Sequence, residues 1–291
     1  MKRGSVKMAA LLAIMASAVG AAAAACGSLG AACENGGGGL HKNPMPQKES
    51  RSFDSRCFSV VQWNIGHFAF GRNKYTEITA KESAARSAAY RAMIQKLNPD
   101  FLGISEFEPV FDRAGRLSTN EIFSSFPTKV IGPKNHYQSN ALFTHLPCVR
   151  HEIVNFTERR QRTYFIDAVF MFGTNEVHFV QSHLDWALVP DKEKRPPTDR
   201  RFAQRQIKQL VEHFKDKPYV IVSADFNVSQ IWHFRDLMRD GYVIASKDKN
   251  RHRLLDNIAV KGFRVKKLFF EDVDHLLSDH TIAGCVLEMK K

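Results

Sequence analysis

Four apolar runs in this chain each end in polar residues, and that pattern limits the folds open to it. Phe58–Ile65 carries Asn64 at its tip in QWNIGH, and Phe101–Ile104 runs into Glu106 in FLGISEFE. Glu176–Ser182 leads to His183 and Asp185 in FVQSHLDW, and Tyr219–Ala224 leads to Asp225 and Asn227 in YVIVSADFN. Short apolar runs rich in β-branched and aromatic residues read as buried strands. Helical signals separate them. Thr79-Ala80-Lys81-Glu82 fits a capping box, and Ala85, Ala89, Ala92, Met93 and Leu97 then recur at helical spacing until Asn98-Pro99. Pro196-Pro197-Thr198 opens a second helix with Phe202, Ala203, Ile207, Leu210, Val211 and Phe214 on one side, and Lys217-Pro218 ends it. Further strand-like runs lie at Ser139–Thr144, Arg162–Phe172, Leu254–Val260, Val265–Glu271 and Thr281–Met289. No internal repeat or linker breaks this part of the chain. The alternation implies one layered α/β domain with a mixed sheet system.

The polar interruptions carry the chemistry. Residues two apart on a strand face the same side, which pairs His183 with Asp185 and Asp225 with Asn227. Asp256 and Asn257 interrupt LLDNIAV, and Ser278-Asp279-His280 precede the last strand. A buried carboxylate or imidazole costs several kcal/mol, in rough terms, unless it is paired or metal-bound. One such residue is ordinarily a turn or a satisfied core group; six interruptions at strand ends point to a site. The set offers carboxylates (Glu106, Asp225, Asp256, Asp279), amides (Asn64, Asn227) and two histidines (His183, His280). Hard oxygen donors without a Cys/His cluster favour Mg²⁺, Mn²⁺ or Ca²⁺ over zinc. A His beside a carboxylate suits proton transfer to or from water, because the acid fixes the tautomer and raises basicity. Metal-assisted attack of water on a phosphoryl centre fits these parts.

In their order and separations, QWNIGH, GISEFE, SHLDW, SADFN, LLDNIAV and LLSDH resemble the endonuclease/exonuclease/phosphatase superfamily, over about Ser59 to Met289. The resemblance implies a deoxyribonuclease I-like fold of class α/β (α+β). That fold is a four-layered α/β sandwich, two packed mixed β-sheets flanked by helices with the site at one edge. It implies Glu106 as the principal metal ligand, with Asn64 and Asp279 on the metal side. It further implies Asp225 orienting the nucleophilic water, Asn227 and His183 on the phosphate, and His280 as general acid or base oriented by Asp256. Asp185, Trp186 and Arg201 are expected near the substrate, Arg201 and Gln204 forming an Arg-x-x-Gln element. His183 stands where the abasic-site branch typically carries Asn, which disfavours that branch, and LLDNIAV followed by LLSDH resembles the secreted bacterial hydrolases of the group. Ala224 replaces a Gly common before the Asp.

Met1–Lys7 is basic and Met8–Ala25 is an uncharged, Ala-rich run of 18, the layout of a secretory signal. The rival reading, an uncleaved anchor, would need the run to span at the short edge of the usual length. Cys26 after Ala23-Ala24-Ala25 resembles the lipid-modified cysteine of bacterial lipoproteins and offers a membrane tether. Residues 26–50, with Gly36–Gly39, Pro44 and Pro46, read as a flexible tether, leaving 51–291 as the catalytic domain. Periplasmic, secreted and envelope-lipoprotein locations all follow from export, where disulfides persist. Of five cysteines, four remain if Cys26 is lipidated, with three connectivities open; free thiols at Cys148 and Cys285 are the competing reading.

The chain carries 42 Lys and Arg against 30 Asp and Glu, a formal +12. Without residues 1–25 the balance is 39 to 30, or +9. Arg159–Arg162, Lys247–Arg253 and Lys261–Lys267 concentrate the excess, and a nuclease would use them as a phosphate track. Trp186, Trp232 and Phe234 could stack a base or meet lipid. The leading expectation is an exported, metal-dependent phosphodiesterase with nuclease-like action on a phosphate-ester substrate such as nucleic acid, acting as a monomer. Its competitors are a phosphomonoesterase or a phosphoinositide or sphingomyelin phosphodiesterase, and a surface binding protein without turnover.

Overall fold

The computed structural model describes residues 57–66, 80–107, 119–134, 139–157, 164–185, 202–228, 230–247, 252–274 and 277–290. Two six-stranded sheets pack face to face. The first is ordered β11-β12-β1-β2-β4-β3 and contains β1 (Cys57–Asn64), β2 (Phe101–Phe107), β3 (Thr128–Ile131), β4 (Ser139–Thr144), β11 (Phe263–Glu271) and β12 (Ile282–Met289). The second is ordered β5-β6-β7-β8-β10-β9. Its members are β5 (Arg150–Asn155), β6 (Tyr164–Phe172), β7 (Asn175–His183), β8 (Val220–Asp225), β9 (Val243–Ile244) and β10 (Asp256–Lys261).

Each sheet is mixed and has one parallel pair at its centre, β1 with β2 and β7 with β8. A parallel pair needs a crossover, and a helix lies on each one: α1 (Ala80–Leu97) between β1 and β2, α3 (Phe202–His213) between β7 and β8. The short helices are α2 (Thr119–Ile122), a 3₁₀ turn (Ile231–Phe234), α4 (Arg235–Arg239) and α5 (His252–Leu255). The core follows these layers. Tyr90, Ile94 and Leu97 of α1 cover Val61, Trp63, Leu102 and Ile104 on the outer face of the first sheet. Ala203, Ile207 and Leu210 of α3, with Phe214, cover Val180, Val222 and Ala224 on the second. Phe58, Phe101, Ile166, Phe170, Phe179 and Ile221 fill the space between sheets. The result is the expected four-layered α/β sandwich.

Several sequence expectations are redrawn. The buried face of α1 is Ser87, Tyr90, Ile94 and Leu97, while Ala92 is exposed and Ala85 and Ala89 are half-buried. An alanine fills little of a helix–sheet gap, so Tyr90 takes the anchoring place; its hydroxyl donates to the Leu277 carbonyl at 2.5 Å. Leu254 and Leu255 are helical, not strand, and β10 begins at Asp256. The expected capping residue Thr79 and the opening Pro196–Thr198 lie outside the described residues. Cys57 is disulfide-bonded, and Cys148 and Cys285 are free thiols. Among the described residues no helix is long and apolar enough to cross a membrane.

Gly103 shows how tightly the sheets meet. A Cβ there would sit 1.9 Å from Gln181 Oε1 and 2.4 Å from Ser223 Oγ, both on fully buried side chains of the second sheet. Gly103→Ala should lower stability by about 1–3 kcal/mol through overpacking, measurable as a shifted urea midpoint with an unchanged m-value.

Candidate active site

The strand order brings the polar residues to one edge. Asn64 ends β1 and pairs in register with Ser105 of β2, while His183, Asp225 and Asp256 form one row across β7, β8 and β10. Strand alternation turns Asn64, His183, Asp225 and Asp256 to the same side as Phe58, Phe179, Ile221 and Ile258, which is the space between the sheets. Glu106 reaches the same edge by a different route. The β2–β4 register slips between Ile104 and Phe107, and Glu106 has φ +56°. Left-handed backbone is costly for a residue with a Cβ, on the order of 1–3 kcal/mol, and such strain collects at functional sites. Asn227, just past β8, has φ +51°.

Asp225, 1% exposed, is the hub. Its Oδ2 accepts from Asn64 Nδ2 at 2.9 Å and lies 3.4 Å from His183 Nε2 and 3.9 Å from His280 Nδ1. Its Oδ1 accepts the backbone N–H of Asn227 at 2.9 Å, and Asn227 Nδ2 donates to the Leu184 carbonyl at 2.8 Å. The second pair is His280 with Asp256, Nδ1 to Oδ2 at 2.6 Å. A carboxylate only accepts, so that nitrogen carries the proton and Nε2 is the working face. Burial alone would lower the His280 pKa. The charge and hydrogen bond of Asp256, then the charges of Asp225 and Asp279, outweigh it and push the imidazole up to about 10. Asp256 moves the other way for an acid: burial pushes its carboxyl up to about 6, against the pull of His280. The imidazolium is therefore held at neutral pH.

Two loops complete the edge. Asn64 Oδ1 accepts the Gly66 N–H at 2.9 Å. Ser278 Oγ donates to the Asn64 carbonyl at 2.5 Å and accepts the His280 N–H at 3.0 Å. Asp279 stands at the solvent side, its side chain 69% exposed, with Oδ1 3.9 Å from His280 Nε2.

The structure thus gathers Asn64, Glu106, His183, Asp225, Asn227, Asp256, Asp279 and His280. It modifies two expectations. His183, expected on the phosphate, is enclosed; its Nδ1 lies 3.9 Å from Glu106 Oε1 while Nε2 faces Asp225, so it links the two acids. Asp185 is not on the His183 row, because β7 stops at His183. Its N–H donates to Gln206 Oε1 at 2.8 Å, and its carboxylate accepts Gln206 Nε2 at 3.1 Å, tying the strand end to α3. Gln206, two residues beyond the expected Gln204, is the glutamine at this strand end. Trp186 and Arg201 lie outside the described residues.

A buried polar floor beneath the site went unread in the sequence. Gln62 Nε2 donates to Asp256 Oδ1 and Ser105 Oγ, both at 3.1 Å, and Gln62 Oε1 accepts from Ser223 Oγ at 2.8 Å and Gln181 Nε2 at 3.2 Å. Gln62, Gln181 and Ser223 each sit two residues before a site residue, so the period of two could have found them.

The donor set suits a hard divalent ion. Asp225 and Asp256 offer carboxylate oxygens that lie within 4.8 Å of one another and of the His280 ring, and Glu106 stands on the far side of His183. Several carboxylates at one edge are the charge arrangement that a cation relieves.

Residues 61–280 match the Endonuclease/Exonuclease/phosphatase family, and the chain belongs to it. Similar solved structures agree on the fold. An endonuclease/exonuclease/phosphatase from Beutenbergia cavernae superposes with TM-score 0.61 at 14% identity, covering 81% of this chain and 72% of that one. A humanized D. rerio TDP2 gives 0.60 at 15%, covering 81% and 100%. The human Nocturnin catalytic domain with bound sulfate gives 0.60 at 18%, covering 80% and 94%. No curated protein matches the sequence. Members of the family are divalent-metal-dependent hydrolases of phosphate esters, and this chain keeps acidic and histidine groups able to hold an ion.

Proposed function

We propose that this protein is an exported phosphodiesterase with nuclease-like action that uses Mg²⁺. The observation that carries the reading is the facing of two units at one edge: Asp225 held by Asn64, Asn227 and His183, and the His280–Asp256 pair. Glu106 and Asn64 would hold the ion, with Asp279 on its open side; when bound, it would withdraw charge from the phosphate and acidify water. Asp225 presents an acceptor to the attacking water. Asn227 keeps a second amide N–H for a phosphate oxygen. His280, already protonated, donates from Nε2 to the leaving oxygen, and Asp256 holds the charge it carries. His183 fixes the spacing of Glu106 and Asp225.

Export is supported by the signal-like residues 1–25 and by the disulfide at Cys57, which an oxidising compartment preserves. A lipid tether through Cys26 and a monomeric state belong to the same proposal. The nucleic-acid substrate is supported by the basic balance and by a neighbouring D. rerio TDP2 structure that holds a single-strand DNA product. In one of the three basic tracts, three members are engaged away from the site. Lys261 closes β10 five residues from Asp256, bonded to Asp240 Oδ2 at 2.9 Å and to the carbonyls of Phe214 and Lys215. Arg264 and Lys266 lie against Glu288, at the end of β12 away from His280. Arg159–Arg162 and most of Lys247–Arg253 lie outside the described residues.

A panel of DNA, bis-p-nitrophenyl phosphate, p-nitrophenyl phosphate and phosphoinositide or sphingomyelin vesicles at several salt concentrations tests the substrate. Cleavage of DNA should fall steeply between 50 and 200 mM salt, by counterion release of about 0.9 ion per phosphate contact. Efficient hydrolysis of the monoester or of lipid, with DNA untouched, would replace the nuclease reading by one of its competitors.

A further inference from the structure

A second group of donors lies on the other face of the second sheet. Asp167 of β6 and Glu152 of β5 are directly paired across the antiparallel ladder. Like charges opposite one another destabilise a sheet. Asp167 is 3% exposed, so its carboxylate bears a desolvation cost as well. Arg150, two residues along β5, acts on the pair only through its charge, because its guanidinium is bonded to Glu176 at 2.7 and 2.8 Å. What approaches is His213, at the C-terminal end of α3. Its Nε2 is 3.5 Å from Glu152 Oε1 and 3.9 Å from Asp167 Oδ2. All three donor atoms lie within 4.8 Å of one another.

Behind Asp167 stands His178 of β7. It is 4% exposed, its Nδ1 lies 3.0 Å from both oxygens of Asp167, and its Nε2 has no hydrogen-bond partner. A buried imidazole against a carboxylate, leaving that carboxylate's outer side to a third group, is the arrangement that orients a metal-binding acid. The 3.5 Å between His213 Nε2 and Glu152 Oε1 is close to what a tetrahedral ion imposes, roughly 3.4 Å for bonds of about 2.0–2.1 Å, and the 3.9 Å to Asp167 would have to close a little. His213 and Glu152 are partly solvent-exposed, so an ion has a way in.

We propose that Glu152, Asp167 and His213 form a binding site for a borderline divalent ion of the zinc class, with His178 as the positioning residue behind Asp167. Position separates it from the hydrolytic edge. His178 and His183 are five residues apart on β7, roughly 16 Å at strand rise. Asp167 pairs with Val180, which faces the α3 layer, whereas His183 faces the space between sheets. The ion would fasten the end of α3 to β5 and β6.

The test uses the full chain, stripped with chelator and titrated with Zn²⁺ by calorimetry and with Co²⁺ by visible absorption. Wild type should bind one Zn²⁺ more than His213→Ala, and show a Co²⁺ ligand-field band that this variant lacks. Glu152→Gln, a near-isosteric change at an exposed position, should bind that ion at least tenfold more weakly. Zn²⁺ should raise the thermal midpoint of wild type more than that of either variant, and hydrolysis at saturating Mg²⁺ should stay within about twofold in all three. Equal Zn²⁺ stoichiometry and affinity in wild type and Glu152→Gln would overturn the proposal, whatever the outcome for phosphate hydrolysis.

Discussion

Replacing Asp225 with Asn is expected to cut phosphodiester turnover by roughly 10²–10⁴-fold while leaving the fold in place. The substitution keeps the shape of the side chain and changes only what it offers. In the native arrangement both oxygens accept, one from Asn64 Nδ2 and one from the Asn227 N–H. An amide must turn an NH₂ toward one of those donors, which loosens either the β1 end or the αL turn that carries Asn227. It also removes the acceptor next to His183. Stability should change little, because a lost charged hydrogen bond is offset by removing a buried carboxylate from a cluster of acids. Circular dichroism should therefore be unchanged, and the loss should appear in kcat more than in KM.

The second large effect is expected from the His280–Asp256 pair and shows in pH dependence. In chelator-treated protein the His280 ring should titrate near pH 10 by NMR, against an ordinary 6.5. Asp256→Asn should return that midpoint toward or below the ordinary value, because burial then acts without the compensating charge. Linkage fixes the sign. A folded pKa raised above the unfolded one favours the protonated fold, so this contribution is full below about 6.5 and lost as pH rises through about 10. Asp256, raised from 3.8 to about 6, works in a lower window: its protonated form favours the fold below about 4, and that advantage is gone above about 6. The thermal midpoint of wild type should thus decline from pH 7 to 10 more steeply than that of His280→Asn. Identical slopes would remove the imidazolium from the account. Turnover should fall in both Asp256→Asn and His280→Asn, the second by roughly 10²–10⁴-fold.

The sandwich was legible because both halves obey one rule. Each central parallel pair needs an apolar run, a crossover helix and a second apolar run, and those are the segments that stand out in the chain. What was missed carries little hydrophobic signal. β5 is mostly exposed and reads RHEIVN, β3 has four residues and β9 two, so pairing with a longer neighbour, and not their own composition, makes them strands. The face of α1 was misjudged because alanine marks helical spacing without marking burial, and Tyr90 does the packing.

The site was legible at the level of residues and less so at the level of roles. Strand ends gather whatever polar groups they carry, so Asn64, His183, Asp225 and Asp256 could be read from interruption alone. Glu106 could be named but not aimed, since a register slip and a left-handed backbone turn it to the edge. The pairing of Asp185 with His183 on one face does not hold, because spacing of two implies a shared face only while the strand continues, and β7 ends at His183. The same rule applied backward along the strands would have recovered Gln62, Gln181 and Ser223. Gln206 was hidden by its neighbour Gln204, and only the phase of α3 against β7 separates the two.

One measurement bears most directly on the central claim that this edge hydrolyses phosphate esters with a divalent ion. The full chain, stripped of metal, is assayed on bis-p-nitrophenyl phosphate and on DNA in chelator and then with Mg²⁺ or Mn²⁺. No product is expected in chelator, product on adding the ion, and near-complete loss in folded Asp225→Asn and His280→Asn. Undiminished hydrolysis in chelator, full activity in both folded variants, or no product from any phosphate ester with either ion would contradict it.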